Sequence, residues 1–350
     1  MSKNIYYNPK KILSLKDLEK KEPTFYLIST NRSAGKTTCF LKMALENFHA
    51  RREQFVLLYR YKYELTSCAT LFDDIMRLYP ELQGEINTVN HAQGLFVEML
   101  MNGETIGFAI SMNNPDVMKK YSPLFAGVEM CIFDEFQTES GKYLPKETEK
   151  LQSLLLTIAR GGGRQSRPIK VFMLSNNVSI MNPYYIEFGI HKRIKSDTKF
   201  MRGIGWVAEF GFNESASKNI QENGIARAFQ NSNYLRYSST KEYLHVTDAF
   251  IEKISGRSRY LFTIVHLGKK YGVREYMDEG IIHVSHKVDD TFKYIITLKA
   301  SDHNQNTLML NNYSFLIDNI KKAFKHGYLR FDDLETKNAI FDILAIDLYS

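Results

Sequence analysis

The sequence contains little cysteine: Cys39, Cys68 and Cys131 lie far apart along 350 residues. An odd and sparse set of cysteines argues against a disulfide framework and favours a reducing compartment. No cysteine pair has the spacing of a zinc site, and the His283-x-x-His286 pair has no third candidate ligand nearby in the sequence. These absences exclude a disulfide-rich secreted protein and argue against a zinc protein.

The sequence also lacks the hydrophobic segments of a targeted or membrane protein. The residues after Met1 do not form the apolar stretch of about 7–15 residues that marks a signal peptide. No run approaches the roughly 20 apolar residues that a membrane span requires. We therefore expect a soluble cytosolic protein with no membrane partner.

Charge of one sign is only slightly in excess. There are 46 Lys and Arg against 39 Asp and Glu, a net charge of +7, which permits a polyanionic partner such as nucleic acid without requiring one. With 44% hydrophobic and 13% aromatic residues, the chain can bury a sizeable core, which excludes wholesale disorder. Its length suits two domains of roughly 100–200 residues each.

Apolar runs alternate with helical patterns in the first half of the chain. The predicted strands cover residues 25–28, 55–59, 130–133 and 169–174, and the predicted helices cover residues 36–52, 71–78 and 146–159. Near-continuous apolar strands that alternate with helices are typical of a mainly parallel sheet covered on both faces. We therefore predict an α/β domain here.

The pattern changes after about residue 190. A polar stretch with one predicted helix at residues 215–229 leads to a β-meander closed by a helix. The meander strands are predicted at residues 260–266, 271–276 and 281–286, and the closing helix at residues 313–326. We predict an α/β domain at residues 1–195, a linker at 196–245 and a C-terminal α+β domain at 246–350.

The strongest motif is Thr30-Asn31-Arg32-Ser33-Ala34-Gly35-Lys36-Thr37, between the first predicted strand and helix. A P-loop needs small residues whose amides wrap a phosphate, a Lys for the β- and γ-phosphates, and a hydroxyl for Mg²⁺. Thr30 replaces the first Gly of the pattern, at a position remote from the main phosphate-binding amides. The predicted cofactors are ATP and Mg²⁺, and the predicted nucleotide-binding residues are Asn31, Arg32, Ser33, Ala34, Gly35, Lys36, Thr37 and Thr38. The alternative is an ordinary strand–helix turn.

A second motif is the strand Met130-Cys131-Ile132-Phe133, which ends in Asp134-Glu135. Asp134, at the carboxyl edge of a parallel sheet, is placed to hold Mg²⁺ together with Thr37. Glu135 is placed to orient and deprotonate an attacking water, and such paired acids favour hydrolysis over phosphoryl transfer to a small acceptor. The alternative is an acidic strand end on the surface.

Two further features accompany the predicted site. The glycine-rich loop from Arg160 to Arg167 carries three arginines, which suits a phosphate or nucleic-acid contact, for example an arginine finger in a neighbouring subunit. The alternative is a solvated basic loop. Asn176, at the end of the next strand, is a candidate sensor for the γ-phosphate or the attacking water.

Several strings of the sequence resemble the genome-packaging motor ATPases of small short-tailed bacteriophages, of the protein-primed Bacillus-phage type. The resemblance covers nearly the whole chain. The matching strings are Tyr7-Asn8-Pro9-Lys10, Gln54-Phe55, Tyr59-Arg60-Tyr61-Lys62, Glu64-Leu65, Ile132-Phe133-Asp134-Glu135-Phe136, Leu174-Ser175-Asn176, Asn182-Pro183-Tyr184, Phe250-Ile251-Glu252-Lys253 and Gly327-Tyr328-Leu329-Arg330-Phe331-Asp332.

The resemblance implies an additional-strand, catalytic-Glu (ASCE) P-loop ATPase related to terminases and to FtsK/HerA-type translocases. It also implies a short linker domain and a C-terminal domain similar to an RNase H fold that has lost its nuclease. The partners would be double-stranded DNA, the portal of a procapsid and further copies of the chain in a homopentameric ring. The protein would act in the host cytoplasm, transiently on the procapsid and not in the mature virion. A structural RNA is a further candidate partner that the sequence does not decide.

The resemblance also implies residue roles. Lys36 and Thr37 would serve the P-loop, Asp134 the metal and Glu135 the water, and Arg32 falls where the family also has Arg. Arg160 falls on the trans-acting arginine, although the triple glycine after it departs from the family pattern and leaves Arg164 as a possible substitute. Lys119 or Lys120 is a candidate second trans-acting cation, with local spacing that differs by about one residue.

The predicted C-terminal domain lacks the carboxylates of a two-metal nuclease. The predicted strand at residues 260–266 carries none, and Asp278, Glu279, Asp289 and Asp290 fall in predicted turns. We therefore expect no nuclease activity.

The sequence thus predicts an ATP-driven double-stranded DNA translocase that packages a viral genome, with Lys62 as a candidate DNA contact. Two alternatives stay open: a cellular-type translocase or helicase of the same ATPase class, and a non-enzymatic nucleic-acid-binding protein with a degenerate P-loop. A small-molecule kinase is a weaker third, since no lid or acceptor pocket is evident.

Overall fold

The computed structural model describes residues 6–140, 142–160, 165–180, 182–194, 197–229, 232–240, 250–266, 268–297, 302–309 and 314–348. The chain divides into two compact units, Met1–His245 and Val246–Ser350. Within the described ranges, no helix is long and apolar enough to cross a membrane.

A mainly parallel sheet forms the first unit. Its strands are β1 (Phe25–Thr30), β2 (Gln54–Tyr59), β3 (Ile86–His91), β4 (Phe96–Met101), β5 (Glu104–Ser111), β6 (Val128–Asp134), β7 (Lys170–Asn176), β8 (Phe200–Gly203) and β9 (Trp206–Phe210). The nine strands follow the order β3-β4-β5-β2-β6-β7-β1-β9-β8. From β5 to β9 all neighbours are parallel, and antiparallel strands lie at both edges. The predicted α/β class is therefore confirmed.

Helices connect these strands. They are α1 (Lys10–Leu13), α2 (Lys36–Arg51), α3 (Leu71–Leu78), α4 (Pro115–Met118), α5 (Glu147–Ile158), α6 (Pro183–Glu187), α7 (Glu214–Glu222), α8 (Gly224–Ala228) and α9 (Asn233–Ser239), with short 3₁₀ helices at Lys62–Ser67, Pro80–Leu82, Ala92–Gly94, Lys119–Phe125 and Ile190–Lys192. Phe40, Leu41, Ala44, Leu45 and Phe48 of α2 are buried in one core cluster with side chains of the central strands. Their spacing of three and four residues places them on one face of the helix. This face packs against the sheet and so holds α2, which follows the predicted P-loop, in place.

The single helix predicted at residues 215–229 is wrong. Asn223 interrupts it, because its backbone is extended and its side chain accepts a hydrogen bond from the Ile225 N–H at 2.9 Å. Asn competes with the helix for backbone groups and is a favoured N-cap. The segment therefore forms α7 and α8 instead.

The predicted boundary at residue 195 precedes two strands of the first sheet. Strand β9 pairs in parallel with β1, from Phe25 opposite Trp206 to Ser29 opposite Phe210, and β8 pairs with β9 across a turn at Gly205 with φ +76°. Residues 200–210, which we assigned to the linker, thus extend the sheet of the first unit. Strands of four and five residues are too short to give a clear period in the sequence.

The second unit is an α+β module. Its elements are β10 (Ser258–His266), β11 (Lys269–Tyr276), β12 (Ile281–Ser285), β13 (Ile295–Thr297), β14 (Leu308–Met309), α10 (Ser314–Lys325), β15 (Leu329–Phe331) and α11 (Leu334–Leu348). The sheet order is β14-β13-β10-β11-β12-β15. The antiparallel meander β10-β11-β12 and helix α10 confirm the sequence prediction, whereas β13, β14, β15 and α11 were not predicted. A separate core that includes Ile264, Val273, Ile320 and Ile340 holds the sheet and both helices together.

Candidate active site

The predicted P-loop connects β1 to α2 in a conformation that requires glycine at one position. Gly35, immediately before α2, has φ +86°, and a Cβ atom there would lie 2.8 Å from Cδ1 of Tyr6. Only glycine adopts this backbone readily. The neighbouring Ala34 carbonyl accepts a hydrogen bond from the Tyr7 N–H at 2.8 Å, so the segment before α1 helps to fix the loop.

Lys36 is buried at the N-terminus of α2 and points to the carboxyl edge of the sheet. Its Nζ donates to Oγ1 of Thr30 at 2.8 Å and to Oδ1 of Asn176 at 3.2 Å. Thr30 and Asn176 are paired neighbours on β1 and β7. Burial lowers the pKa of the Lys36 ammonium to about 8, and the Asp134 carboxylate opposes this shift. Thr30, at the first Gly position of the motif, thus provides a partner for the P-loop lysine.

Thr37 and Asp134 meet at the mouth of the loop. The Thr37 hydroxyl donates to Oδ2 of Asp134 at 2.6 Å, across 97 residues of sequence. Removal of water raises the pKa of the Asp134 carboxyl, whereas the Thr37 hydrogen bond and the Lys36 charge lower it. These oxygen donors fit Mg²⁺, which takes one or two protein carboxylates and otherwise binds phosphates and water. The described residues contain no cluster of three or more His, Cys, Asp and Glu side chains placed to hold a metal.

Glu135 follows Asp134 in a left-handed backbone conformation, with φ +56°. Its N–H donates to Oδ1 of Asp134 at 2.9 Å, and its side chain is exposed at the mouth of the site. Partial removal of water raises the pKa of the Glu135 carboxyl, and the adjacent Asp134 carboxylate raises it further. A raised pKa makes the ionised carboxylate a stronger base toward a bound water.

The side chains of Asn31 and Arg32 in the P-loop bond to residues from other parts of the first unit. The buried Asn31 side chain donates to the Asn213 carbonyl at 3.0 Å and accepts from the Asn213 N–H at 2.8 Å. The Arg32 guanidinium bonds Glu139 at 3.2 Å and the Tyr234 hydroxyl. The Asn31 side chain therefore braces the loop against the start of α7.

Helix α9, from the predicted linker, lies against this site. The Arg32 N–H donates to the Ser238 carbonyl at 3.3 Å, and the buried Tyr237 donates to Glu139 at 3.0 Å. Tyr237 also hydrogen-bonds Asn176. No local sequence pattern marks these contacts, because they join residues far apart in the chain.

Arg160 and Arg167, at the two ends of the predicted arginine loop, lie toward the opposite edge of the sheet. Arg167 is buried, and its guanidinium donates to the carbonyls of Phe125 at 2.6 Å, Ile158 at 3.1 Å and Val128. It is therefore a structural residue, and the prediction that it contacts phosphate or nucleic acid is wrong. Arg160 is exposed just after α5, and Arg164 lies outside the described residues.

Arg160 is remote from the acids of its own chain. The Arg167 N–H donates to the Ala159 carbonyl at 3.0 Å, and the Arg167 guanidinium donates to the carbonyl of Val128, the first residue of β6, so Arg160 lies toward the end of the sheet where β6 begins. Asp134 is the last residue of that strand, and six steps of about 3.3 Å give a length of about 20 Å from Val128 to Asp134. This distance exceeds the length of an arginine side chain.

The remaining candidate cations are exposed on the first unit. Lys119 and Lys120 lie in the 3₁₀ helix Lys119–Phe125, where Lys119 pairs with Asp116 at 2.5 Å. Lys62 begins the 3₁₀ helix after β2 and donates to the Gln93 carbonyl. Ser33 is exposed in the P-loop, and Thr38 is half-buried in the first turn of α2.

The acids of the second unit lie where the sequence predicts them. Asp278 and Glu279 are exposed in the turn between β11 and β12, and Asp289 and Asp290 follow β12 in a loop. Lys270 pairs with Asp290 at 2.6 Å. The expectation that these carboxylates lie in turns is confirmed.

The chain is similar to phage DNA-packaging proteins over nearly its whole length. The sequence profile of the Podovirus DNA encapsidation protein family (Gp16) matches residues 1–346. The DNA packaging protein of Bacillus phage phi29 is 26% identical over 347 residues, which cover 98% of each chain. That of Bacillus phage B103 is 27% identical over 308 residues, which cover 86% of this chain and 90% of the relative.

Solved structures share the fold. The chain matches the bacteriophage Phi-29 viral genome packaging motor assembly with a TM-score of 0.62 and 23% identity, over 99% of both chains. It matches the Phi-28 gp11 DNA packaging motor with a TM-score of 0.63 and 16% identity, over 97% of both chains. These matches confirm the family resemblance and the fold class that the sequence predicts.

Proposed function

This chain belongs to the Podovirus DNA encapsidation protein (Gp16) family, and we propose that it drives viral DNA into a procapsid by hydrolysing ATP at the site around Lys36 and Asp134. It is a genome-packaging motor ATPase of the phi29 type. The observation that carries the proposed site is the meeting of the P-loop lysine, the Thr37–Asp134 pair and Glu135 at one edge of a parallel sheet.

Each residue of the site has a chemical role in the proposed reaction. The loop amides, the N-terminus of α2 and the Lys36 ammonium bind the phosphates of ATP. Thr37 and Asp134 would hold Mg²⁺, which would supply positive charge to offset that of the phosphates. Glu135 orients a water and accepts its proton as the water oxygen bonds to the γ-phosphorus, and the bond from that phosphorus to ADP breaks. Asn176 positions Lys36 and senses the γ-phosphate.

Arg160 acts on the site of a neighbouring copy in this proposal. Its position toward the start of β6, a strand about 20 Å long with Asp134 at its far end, supports action in trans, because an arginine side chain is too short to span that length. A ring of copies, expected to be a pentamer, brings each Arg160 to the next subunit. Lys119 or Lys120 is the candidate second trans-acting cation, and Arg164 is the alternative to Arg160.

The remaining assignments follow from family membership. The ring engages the portal of the procapsid and grips duplex DNA electrostatically, with Lys62 as one contact. Residues after β9 up to 245 form the linker, and residues 246–350 form an RNase H-like domain without nuclease activity. The protein acts in the host cytoplasm on the procapsid, where a structural RNA is a further candidate partner.

An ATPase assay of the full chain, with and without duplex DNA, tests the proposed function. We expect Mg²⁺-dependent hydrolysis that duplex DNA stimulates more than single-stranded DNA, and an oligomer by mass measurement. Lys36→Ala should lower hydrolysis about 100- to 1000-fold, since it removes a cation aimed at the transferred phosphoryl group. A folded protein that binds DNA but no labelled ATP analogue would instead support the non-enzymatic alternative, and strand separation would support a helicase.

A further inference from the structure

Arg60, the residue after β2, is buried in an ion pair with Glu147, the first residue of α5. Its Nε donates to both carboxylate oxygens of Glu147 at 3.1 and 2.9 Å, and its Nη2 donates to Oε1 at 2.8 Å. The two residues are 6% and 2% exposed. Removing one partner would leave an uncompensated buried charge, whereas apolar pairs can replace such ion pairs with little loss of stability. Stability alone therefore does not explain why a charged pair is present here.

The same guanidinium holds the backbone that follows the acidic strand. Nη1 of Arg60 donates to the Glu135 carbonyl at 3.2 Å, and Nη2 donates to the Phe136 carbonyl at 3.0 Å. Glu135 has φ +56°, a conformation that a non-glycine residue keeps only where its surroundings enforce it. Arg60 provides that restraint on the carboxyl side of Glu135, and Asp134 provides it at the N–H.

Glu147 is itself fixed in place, so Arg60 has little freedom to move. The Tyr184 hydroxyl donates to Oε1 of Glu147 at 2.6 Å, and the Leu144 N–H donates to Oε2 at 2.7 Å. The Arg60 guanidinium also lies 5.2 Å from the ring centre of Phe133 and 5.3 Å from that of Tyr143. A fully satisfied buried network of this kind is rigid.

We propose that Arg60, held by Glu147, is a positioning residue for ATP hydrolysis. It fixes the left-handed backbone at Glu135 and so aims the carboxylate at the attacking water. It touches neither the nucleotide nor the water, and therefore acts on kcat through Glu135 without contributing to ATP binding. This inference rests on the role of Glu135 in the proposed function.

The test is the double variant Arg60→Met/Glu147→Met. It removes both charges together, so that no buried charge is left without its counter-charge. We expect kcat to fall about 100-fold, because a displacement of about 1 Å at a reacting group has an effect of that size. The KM for ATP and the Kd for a non-hydrolysable analogue should stay unchanged. A kcat within about threefold of the wild type in the folded double variant would overturn the inference.

The matched control is Asp17→Ala, which removes another buried charged side chain that holds backbone groups, the N–H groups of Lys21 and Gly205, at the end of the sheet opposite the P-loop. It should lower the Tm while leaving the kcat of the folded protein unchanged. An equal loss of kcat in this control would assign the effect of Arg60 to general destabilisation and overturn the inference.

If the double variant does not fold, Arg60→Lys replaces it, since lysine keeps the charge beside Glu147 but lacks the fork that reaches both carbonyls. The same fall in kcat is expected, and its absence would refute the inference.

Glu135→Gln separates failure of this inference from failure of the proposed function. If Glu135→Gln hydrolyses ATP normally, the proposed site is wrong. If it is inactive but the double variant is fully active, only the role of Arg60 is wrong. In a Glu135→Gln background the double variant should cause little further loss, because residues that act through one step are not additive.

Discussion

Glu135→Gln should bind ATP as the wild type does but hydrolyse it roughly 10²–10⁴-fold more slowly, the usual contribution of a general base. The amide keeps the size of the side chain and its place beside Asp134, but it cannot accept the proton of the attacking water. Lys36, Thr37 and Asp134 keep their contacts, so the affinity for nucleotide should not change.

Equilibrium binding of a fluorescent ATP analogue and single-turnover hydrolysis measure the two effects separately. Glu129→Gln is the matched control, because Glu129 lies on the same strand and pairs with Arg167 at the other end of it. It should retain wild-type hydrolysis. Near-normal turnover by Glu135→Gln would remove Glu135 from the proposed mechanism.

Mixing two inactive variants should restore ATP hydrolysis if Arg160 acts in trans. Arg160→Ala alone should lose roughly 10³–10⁵-fold in kcat, the range for an arginine finger. In a ring mixed with Glu135→Gln subunits, some interfaces combine an intact Glu135 with an intact Arg160 from the neighbour. At a 1:1 ratio these form about a quarter of all interfaces, because each subunit contacts its neighbour head to tail.

The measurement is the ATPase rate of rings reassembled at varied ratios of the two variants. Recovery toward about a quarter of the wild-type rate is the expected maximum at a 1:1 ratio. A mixture of Lys36→Ala with Glu135→Gln is the control and should recover nothing, since both residues serve the site of their own chain. Absence of recovery in the first mixture would exclude Arg160 as the trans-acting residue, and the same series with Arg164→Ala would test the alternative.

The elements of the candidate nucleotide site could be predicted because their signals are local in the sequence. The P-loop is a contiguous string between an apolar run and a helical period, and α2 begins at Lys36 as the motif requires. Asp134 ends a strand that is apolar because helices cover the sheet on both faces. Parallel strands bring their carboxyl ends to one edge, so Asp134 at the end of β6 and Thr37 at the start of α2, which follows β1, meet at 2.6 Å even though β7 lies between the two strands.

The features that the sequence does not reveal depend on contacts between residues that are far apart along the chain. Arg60 and Glu147 are 87 residues apart, and Arg32 and Tyr234 are 202 apart. The left-handed backbone of Glu135 has no signal in its residue type, since glutamate rarely adopts it. Arg160 and Arg167 look alike in a basic loop, and only the fold shows that carbonyl groups surround Arg167.

The most direct test of ATP-driven packaging is the amount of duplex DNA that procapsids protect from nuclease in the presence of the full chain. Portal-bearing procapsids, phage DNA, Mg²⁺ and ATP are incubated with the wild type or with Glu135→Gln. Protected DNA should accumulate with time for the wild type, and should stay at background for Glu135→Gln or with a non-hydrolysable analogue. Equal protection by Glu135→Gln, or none by a wild-type protein that hydrolyses ATP, would contradict ATP-driven packaging by this site.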